Sequence, residues 1–234
     1  MNLLTTSYRA IIFCCISCQL ILSAADAQEA KWDSTYRPDI YPSRVDLFNS
    51  FRHSKKDIVF LGNSITFWGE WSELLGSPHI KNRGIPGDIT FGVLERLDEV
   101  INGQPAKVFI LIGINDIARN IPDSVTIRNY KRMVERIKTG SPRTKIFFQT
   151  LLPTNSAPNK LTAYYHKELQ VKKINAAIRD LTKEEHIGLI DLYASFADAE
   201  GNLPRQYTFD GVHLTKPGYD VWVDVLKKGK YLTR

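Results

Sequence analysis

Asp57-Ile-Val-Phe-Leu61-Gly62-Asn63-Ser64 is the stretch on which the reading of this chain turns. A short apolar run closed by a glycine and two small polar residues fits a strand buried on both faces that leaves its sheet at a tight turn. Comparable runs lie near Ile80, at Lys107-Val-Phe-Ile-Leu-Ile112, at Lys145-Ile-Phe-Phe-Gln149 and at Ile187-Gly-Leu-Ile-Asp191. Between them the pattern changes period. Ile127, Tyr130, Val134 and Ile137 recur at i, i+3, i+7 and i+10, and Val171, Ile174, Ile178 and Leu181 repeat that spacing, so both segments predict amphipathic helices. Further helices are expected from about Thr90 through Val93, Leu94 and Leu97, and from about Lys216 through Tyr219, Trp222 and Leu226. Strand and helix in alternation predict an α/β domain with a parallel sheet.

The 234 residues are 43% hydrophobic and 24% charged, which excludes a disordered or collagen-like chain and suits one domain with a full core. The net charge of +6 is interspersed with acids, as in Tyr130-Lys-Arg-Met-Val-Glu-Arg-Ile-Lys138. That is the pattern of a solvated helix face and not of a phosphate-tracking stripe, so nucleic acid is not an expected partner. At the N-terminus Arg9 precedes the apolar run Ala10–Ser23, and Ala25-Asp26-Ala27 follows it. This order predicts a signal peptide over residues 1–27 and a secreted or periplasmic protein, the run being shorter than the roughly 18 residues of a membrane span. All three cysteines, Cys14, Cys15 and Cys18, fall inside that leader, and a lipid anchor at Cys18 is the alternative to cleavage after Ala27. Residues 28–54 read as an irregular, Pro-containing lead-in and residues 55–234 as the domain, with no later run apolar enough to span a bilayer.

Four short segments carry chemistry. Ser64 follows the first strand, where a parallel sheet delivers its C-terminal end to the ligand side. Asp210 and His213, three apart, suit a carboxylate that orients an imidazole as general base. Asn115, in Gly113-Ile-Asn-Asp116, ends another strand and offers an amide N–H to an oxyanion. Gly84, in Asn82-Arg-Gly-Ile-Pro-Gly-Asp88, offers a backbone N–H to the same charge. Each has a plain alternative as a cap or a turn residue. His53, His79, His166 and His186 lack a companion of this kind and read as surface or loop residues. Trp68 and Trp71 suit core packing, or else an aromatic platform for a sugar ring or an acyl slot, and Trp222 belongs to the core. Arg83 and Asp88 suit substrate contacts or surface salt bridges, and the loops 152–162 and 196–209 are expected to meet substrate.

In this order the four segments resemble the Ser, Gly, Asn and His blocks of the SGNH subgroup of GDSL-type esterases and lipases. Asn63 stands where the commonest family pattern has Asp, and Ile65 where it often has Leu. The resemblance implies a three-layer α/β/α, flavodoxin-like fold with about five parallel strands. It implies Ser64 as nucleophile, His213 as base oriented by Asp210, and an oxyanion hole from the Ser64 and Gly84 N–H groups and the Asn115 amide. Neither a metal nor an organic cofactor is implied. The run Gly84–Leu97 is similar to the branch holding platelet-activating-factor acetylhydrolase subunits and bacterial carbohydrate acetylesterases, which implies a short acyl group, acetyl foremost, on a glycan or small-molecule ester. The alternatives are a lysophospholipase or thioesterase, a glycan-binding module without turnover, and a metal-dependent hydrolase built on His213, Asp210 and Asn115.

Overall fold

Five apolar segments pair into one all-parallel sheet in the order β2-β1-β3-β4-β5. The computed structural model describes residues 31–233, which belong to one compact unit. The expected leader, its cysteines and the first three residues of the lead-in lie outside the described residues. Along the chain come α1 (Tyr41–Ser50), β1 (Ile58–Gly62), α2 (Ser64–Phe67), α3 (Trp71–Leu75), β2 (Ile80–Gly84), α4 (Thr90–Glu95) and α5 (Leu97–Gly103). There follow β3 (Lys107–Leu111), α6 (Ile114–Ala118), α7 (Asp123–Gly140), β4 (Lys145–Gln149), α8 (Glu168–Glu184), β5 (Gly188–Ile190), α9 (Leu192–Phe196) and α10 (Lys216–Lys228).

The register explains the layers. Phe60, Phe109 and Phe147 lie side by side on β1, β3 and β4, with ring centroids 5.0 Å apart at each step. Over that row sit Trp71, stacked on Phe60 at 4.2 Å, and Tyr231, edge-on to Phe147 at 5.7 Å; Trp222 of α10 packs against Trp71 at 4.6 Å. Successive strand residues point to opposite faces, so Phe148 turns away from Phe147 and meets Tyr130 of α7 at 5.2 Å. Helices therefore cover both faces, as continuous apolar strands require. This strand order places a crevice beyond the C-terminal ends of β1 and β3, where the connections leave in opposite directions. Ser64 and Asn115 follow those two strands.

Three differences from the sequence reading have local causes. The lead-in is not irregular throughout: Pro42 starts α1, which buries Tyr41 and Phe48, and the Tyr41 hydroxyl donates to Gly92 O at 2.7 Å. The helix expected from Thr90 through Leu97 is two, broken at Arg96 (φ −96°, ψ 10°), whose guanidinium turns inward. Arg83 and Asp88 face neither substrate nor solvent. Arg83 is buried against Glu99 at 2.8 Å, and the Asp88 carboxylate is buried against Arg96 at 2.9 Å. The same Arg96 donates to Arg83 O at 2.9 Å and to Gly62 O at 3.0 Å, tying together the ends of β1 and β2 beneath the crevice.

Candidate active site

At the end of β1 the chain must turn in little space. A Cβ at Gly62 would lie 2.3 Å from both Leu111 O and Thr66 Oγ1, so only glycine fits. Asn63 caps α2, its Oδ1 accepting from Ile65 N at 3.1 Å, which makes Ser64 the first helical residue. Its N–H has no acceptor among the described residues and points out of the helix start.

The Ser64 hydroxyl donates to His213 Nε2 at 2.8 Å, and His213 Nδ1 donates to Asp210 Oδ2 at 2.6 Å. The carboxylate fixes the proton on Nδ1 and leaves Nε2 as the acceptor, which is the tautomer a general base needs. Asp210 Oδ1 also accepts from the backbone N–H groups of Val212 at 3.0 Å and His213 at 2.8 Å. Burial pushes the Asp210 carboxyl up, but hydrogen bonds from the His213 ring and from these two amides outweigh it and hold the group below the usual carboxylate range. The orienting group therefore stays ionised.

Asn115, at the start of α6, is buried with its amide fixed at both ends. Nδ2 donates to Asp88 O at 2.7 Å, and Oδ1 accepts from the Tyr164 hydroxyl at 2.9 Å. The second N–H of the amide has no acceptor among the described residues. Below it, the Asp116 carboxylate accepts from Thr90 N at 3.1 Å and from Thr90 Oγ1 at 2.5 Å. Burial pushes Asp116 up to about 7 and Asp88 to about 6, against the opposing pull of Thr90 and Arg96 respectively.

Gly84 differs from the sequence reading. It ends β2, and its N–H already donates to Asn82 Oδ1 at 2.8 Å, leaving nothing for an oxyanion. Three residues on, Ile85-Pro86-Gly87-Asp88 forms a turn closed by Asp88 N donating to Ile85 O at 3.1 Å, with Gly87 at φ +78°. Proline followed by glycine is the signature of a type II turn, which demands the left-handed conformation at the glycine. The Gly87 N–H has no acceptor among the described residues, and the next carbonyl, Asp88 O, touches Asn115. The free backbone amide beside Asn115 is thus Gly87, and the Pro86-Gly87 pair was the signal for it.

The other expectations divide. Trp71 is core, with Nε1 donating to Thr66 O at 2.8 Å, but Trp68 is 57% exposed beside the crevice. Phe209 stacks on the His213 ring at 5.9 Å. His53 and His79 do have carboxylate companions, their Nδ1 atoms lying 3.8 Å from Glu99 Oε1 and 3.3 Å from Asp57 Oδ1, and the His79 pair sits at the opposite end of β1 from Ser64. The two long loops brace each other, with Leu203 N donating to Thr154 O at 3.1 Å and Asn155 Nδ2 to Leu203 O at 2.7 Å. Just past the first of them sit Tyr164 and Tyr165, which sequence reasoning passed over. Tyr164 holds Asn115, and the Tyr165 hydroxyl donates to Asp210 O at 2.5 Å. Among the described residues no three His, Cys, Asp or Glu side chains cluster as metal ligands.

The comparisons agree with this geometry. Platelet-activating factor acetylhydrolase IB subunit alpha2 of Rattus norvegicus is 30% identical over 174 residues, covering 72% of this chain and 73% of that protein. The Homo sapiens subunit has the same identity and coverage. The crystal structure of a GDSL-like lipase from Bacteroides thetaiotaomicron superposes with a TM-score of 0.70 at 28% identity, covering 81% of this chain and 96% of that one. Residues 60–221 match the GDSL-like Lipase/Acylhydrolase family, and with Ser64, Asn115, Asp210 and His213 gathered at one sheet edge, the chain belongs to that family of ester hydrolases.

Proposed function

We propose that this acylhydrolase is a secreted or periplasmic serine esterase that removes short acyl groups, acetyl foremost, from a carbohydrate. The observation that carries the reading is the unbroken relay from Ser64 Oγ through His213 to Asp210, at 2.8 and 2.6 Å, beside amide N–H groups without an acceptor among the described residues. Ser64 attacks the ester carbonyl as its proton passes to His213 Nε2, and Asp210 stabilises the imidazolium that forms. The oxyanion meets the N–H groups of Ser64 and Gly87 and the second N–H of Asn115. Collapse breaks the carbonyl–alkoxide bond, and His213 returns its proton to the departing alcohol. Water, deprotonated by the same imidazole, then releases the acid from the acyl-serine.

Acetyl is favoured by the likeness to acetylhydrolase subunits, whose printed name gives that acyl group. The expected leader over residues 1–27 favours a secreted or periplasmic site of action, where glycan esters are available. The metal-dependent alternative would need His213, Asp210 and Asn115 as ligands, but each of the three is committed to a hydrogen bond within the relay or its supports.

The test is a chain-length series of nitrophenyl esters with a fluorophosphonate probe. An acetylesterase loses kcat/KM steeply beyond two to four carbons, and labelling disappears in Ser64→Ala. A rate that rises with chain length assigns the protein to lysophospholipase or thioesterase chemistry instead. Sugar binding without labelling or turnover assigns it to the binding modules.

A further inference from the structure

Trp68 and Phe209 are 57% and 54% exposed, and they share one open cavity of about 400 Å³. That volume lies within the range of small-molecule sites. The cavity adjoins the catalytic pair on one particular side. Phe209 lies nearly parallel to the His213 imidazole with ring centroids 5.9 Å apart, and Trp68 stands one helical turn beyond Ser64, its backbone N–H donating to Ser64 O at 3.0 Å. The amide donors of Gly87 and Asn115 belong to the turn after β2 and the start of α6, outside this wall. Since His213 Nε2 must hand its proton to the departing oxygen, the alcohol half of the ester has to sit on the imidazole side.

The chemistry of the wall narrows the alcohol. Leu214 and Tyr219 continue the apolar lining between the two exposed rings. Lys216 pairs with Asp220 at 2.6 Å, and the Glu70 carboxylate beside it has no partner among the described residues, so the net charge of these three groups is negative. A lone carboxylate accepts hydrogen bonds from hydroxyl groups and repels a phosphate or a uronate. Two aromatic faces suit the C–H face of a ring.

We propose that this cavity is the leaving-group subsite and that it takes the neutral pyranose ring of an O-acetylated sugar, a deepening that rests on the esterase reading above. During acylation the bond from Ser64 Oγ to the acetyl carbon forms, the bond from that carbon to the sugar oxygen breaks, and the proton released by Ser64 reaches the sugar oxygen through His213. Trp71, the other candidate for an aromatic platform, is buried in the core; the partner of Trp68 is Phe209.

The experiment compares Trp68→Ala and Trp68→Phe with the unaltered protein on three acetate esters: an acetylated methyl pyranoside, acetylcholine and methyl acetate. The ratio of kcat/KM for the sugar ester to that for methyl acetate should fall about tenfold in Trp68→Ala and recover in Trp68→Phe. In parallel, Ser64→Ala is titrated with the unacetylated methyl pyranoside, which should quench indole emission, and the quench should vanish in Ser64→Ala/Trp68→Phe. A ratio and an emission that stay unchanged overturn the subsite. An equal or larger loss on acetylcholine overturns the neutral sugar in favour of a cation held by the rings and Glu70. If the sugar quenches Trp68 but no ester is hydrolysed in a Ser64-dependent way, the cavity is a sugar site and its leaving-group role falls together with the esterase reading.

Discussion

Replacing Tyr164 by Phe removes one oxygen atom and tests whether the oxyanion amide is held from behind. The hydroxyl donates to Asn115 Oδ1 at 2.9 Å, and Asn115 keeps its other anchor at Asp88 O, 2.7 Å away. The donor itself survives, so the loss should fall well short of the roughly 10²- to 10³-fold seen when an oxyanion donor is deleted. A buried carbonyl oxygen left without its donor costs about 1–3 kcal/mol. If only about 1 kcal/mol of that reaches the transition state, through an amide free to swing, kcat falls about fivefold. KM for nitrophenyl acetate should change little, because the oxyanion exists only after attack. The assay is a double-mutant cycle: Tyr164→Phe is measured alone and in Asn115→Ala, where there is no amide left to position. A kcat ratio near one in the second background supports the argument. The same fivefold loss in both backgrounds refutes it, because Tyr164 would then act on substrate and not through Asn115.

Asp210→Asn keeps the size of the side chain but removes the carboxylate that fixes the Nδ1 proton. We expect kcat to fall on the order of 10³- to 10⁴-fold in steady-state assays, and a loss under tenfold would count against this relay. Arg96→Ala leaves Asp88 buried without its counter-charge and takes donors from Gly62 O and Arg83 O, so urea unfolding should show a loss of about 3–5 kcal/mol. Asp116 carries a pKa raised from 3.8 to about 7 in the folded protein, so between those values the folded state binds more protons than the unfolded one and stability falls as pH rises. Asp116→Asn removes that dependence. Its Tm relative to the unaltered protein should shift upward from pH 5 to pH 8, and a pH-independent difference would count against the buried carboxyl as the cause.

What the sequence disclosed depended on how much chain each feature occupies. β4 begins and ends where its apolar run does, and α7 and α8 cover their stripes, because burial on a sheet face imposes a period over many residues. The four- and five-residue helices α2, α3, α6 and α9 are too short to display a period. They exist because a strand end must turn back over the sheet, which is a tertiary cause. The relay from Ser64 to His213 was readable because each member sits in its own small motif at a strand end. Gly84 was misread because two glycines lie three residues apart at the end of β2, and only the fold shows that the Asn82 side chain already takes the Gly84 N–H. Tyr164 and Tyr165 left no mark in the pattern. Their importance lies in where two hydroxyl groups end, and no spacing in a loop encodes that.

That adjacent pair of tyrosines has a consequence for how the protein fails. One dipeptide reaches Asn115 with its first hydroxyl and the Asp210 carbonyl with its second, so a single loop clasps both ends of the reaction centre. Loosening of that clasp by heat or by a protease nick would silence the enzyme at once, while the sheet and its aromatic row remained intact. Activity should therefore disappear several degrees before the far-ultraviolet signal does, as a local opening that closes again on cooling.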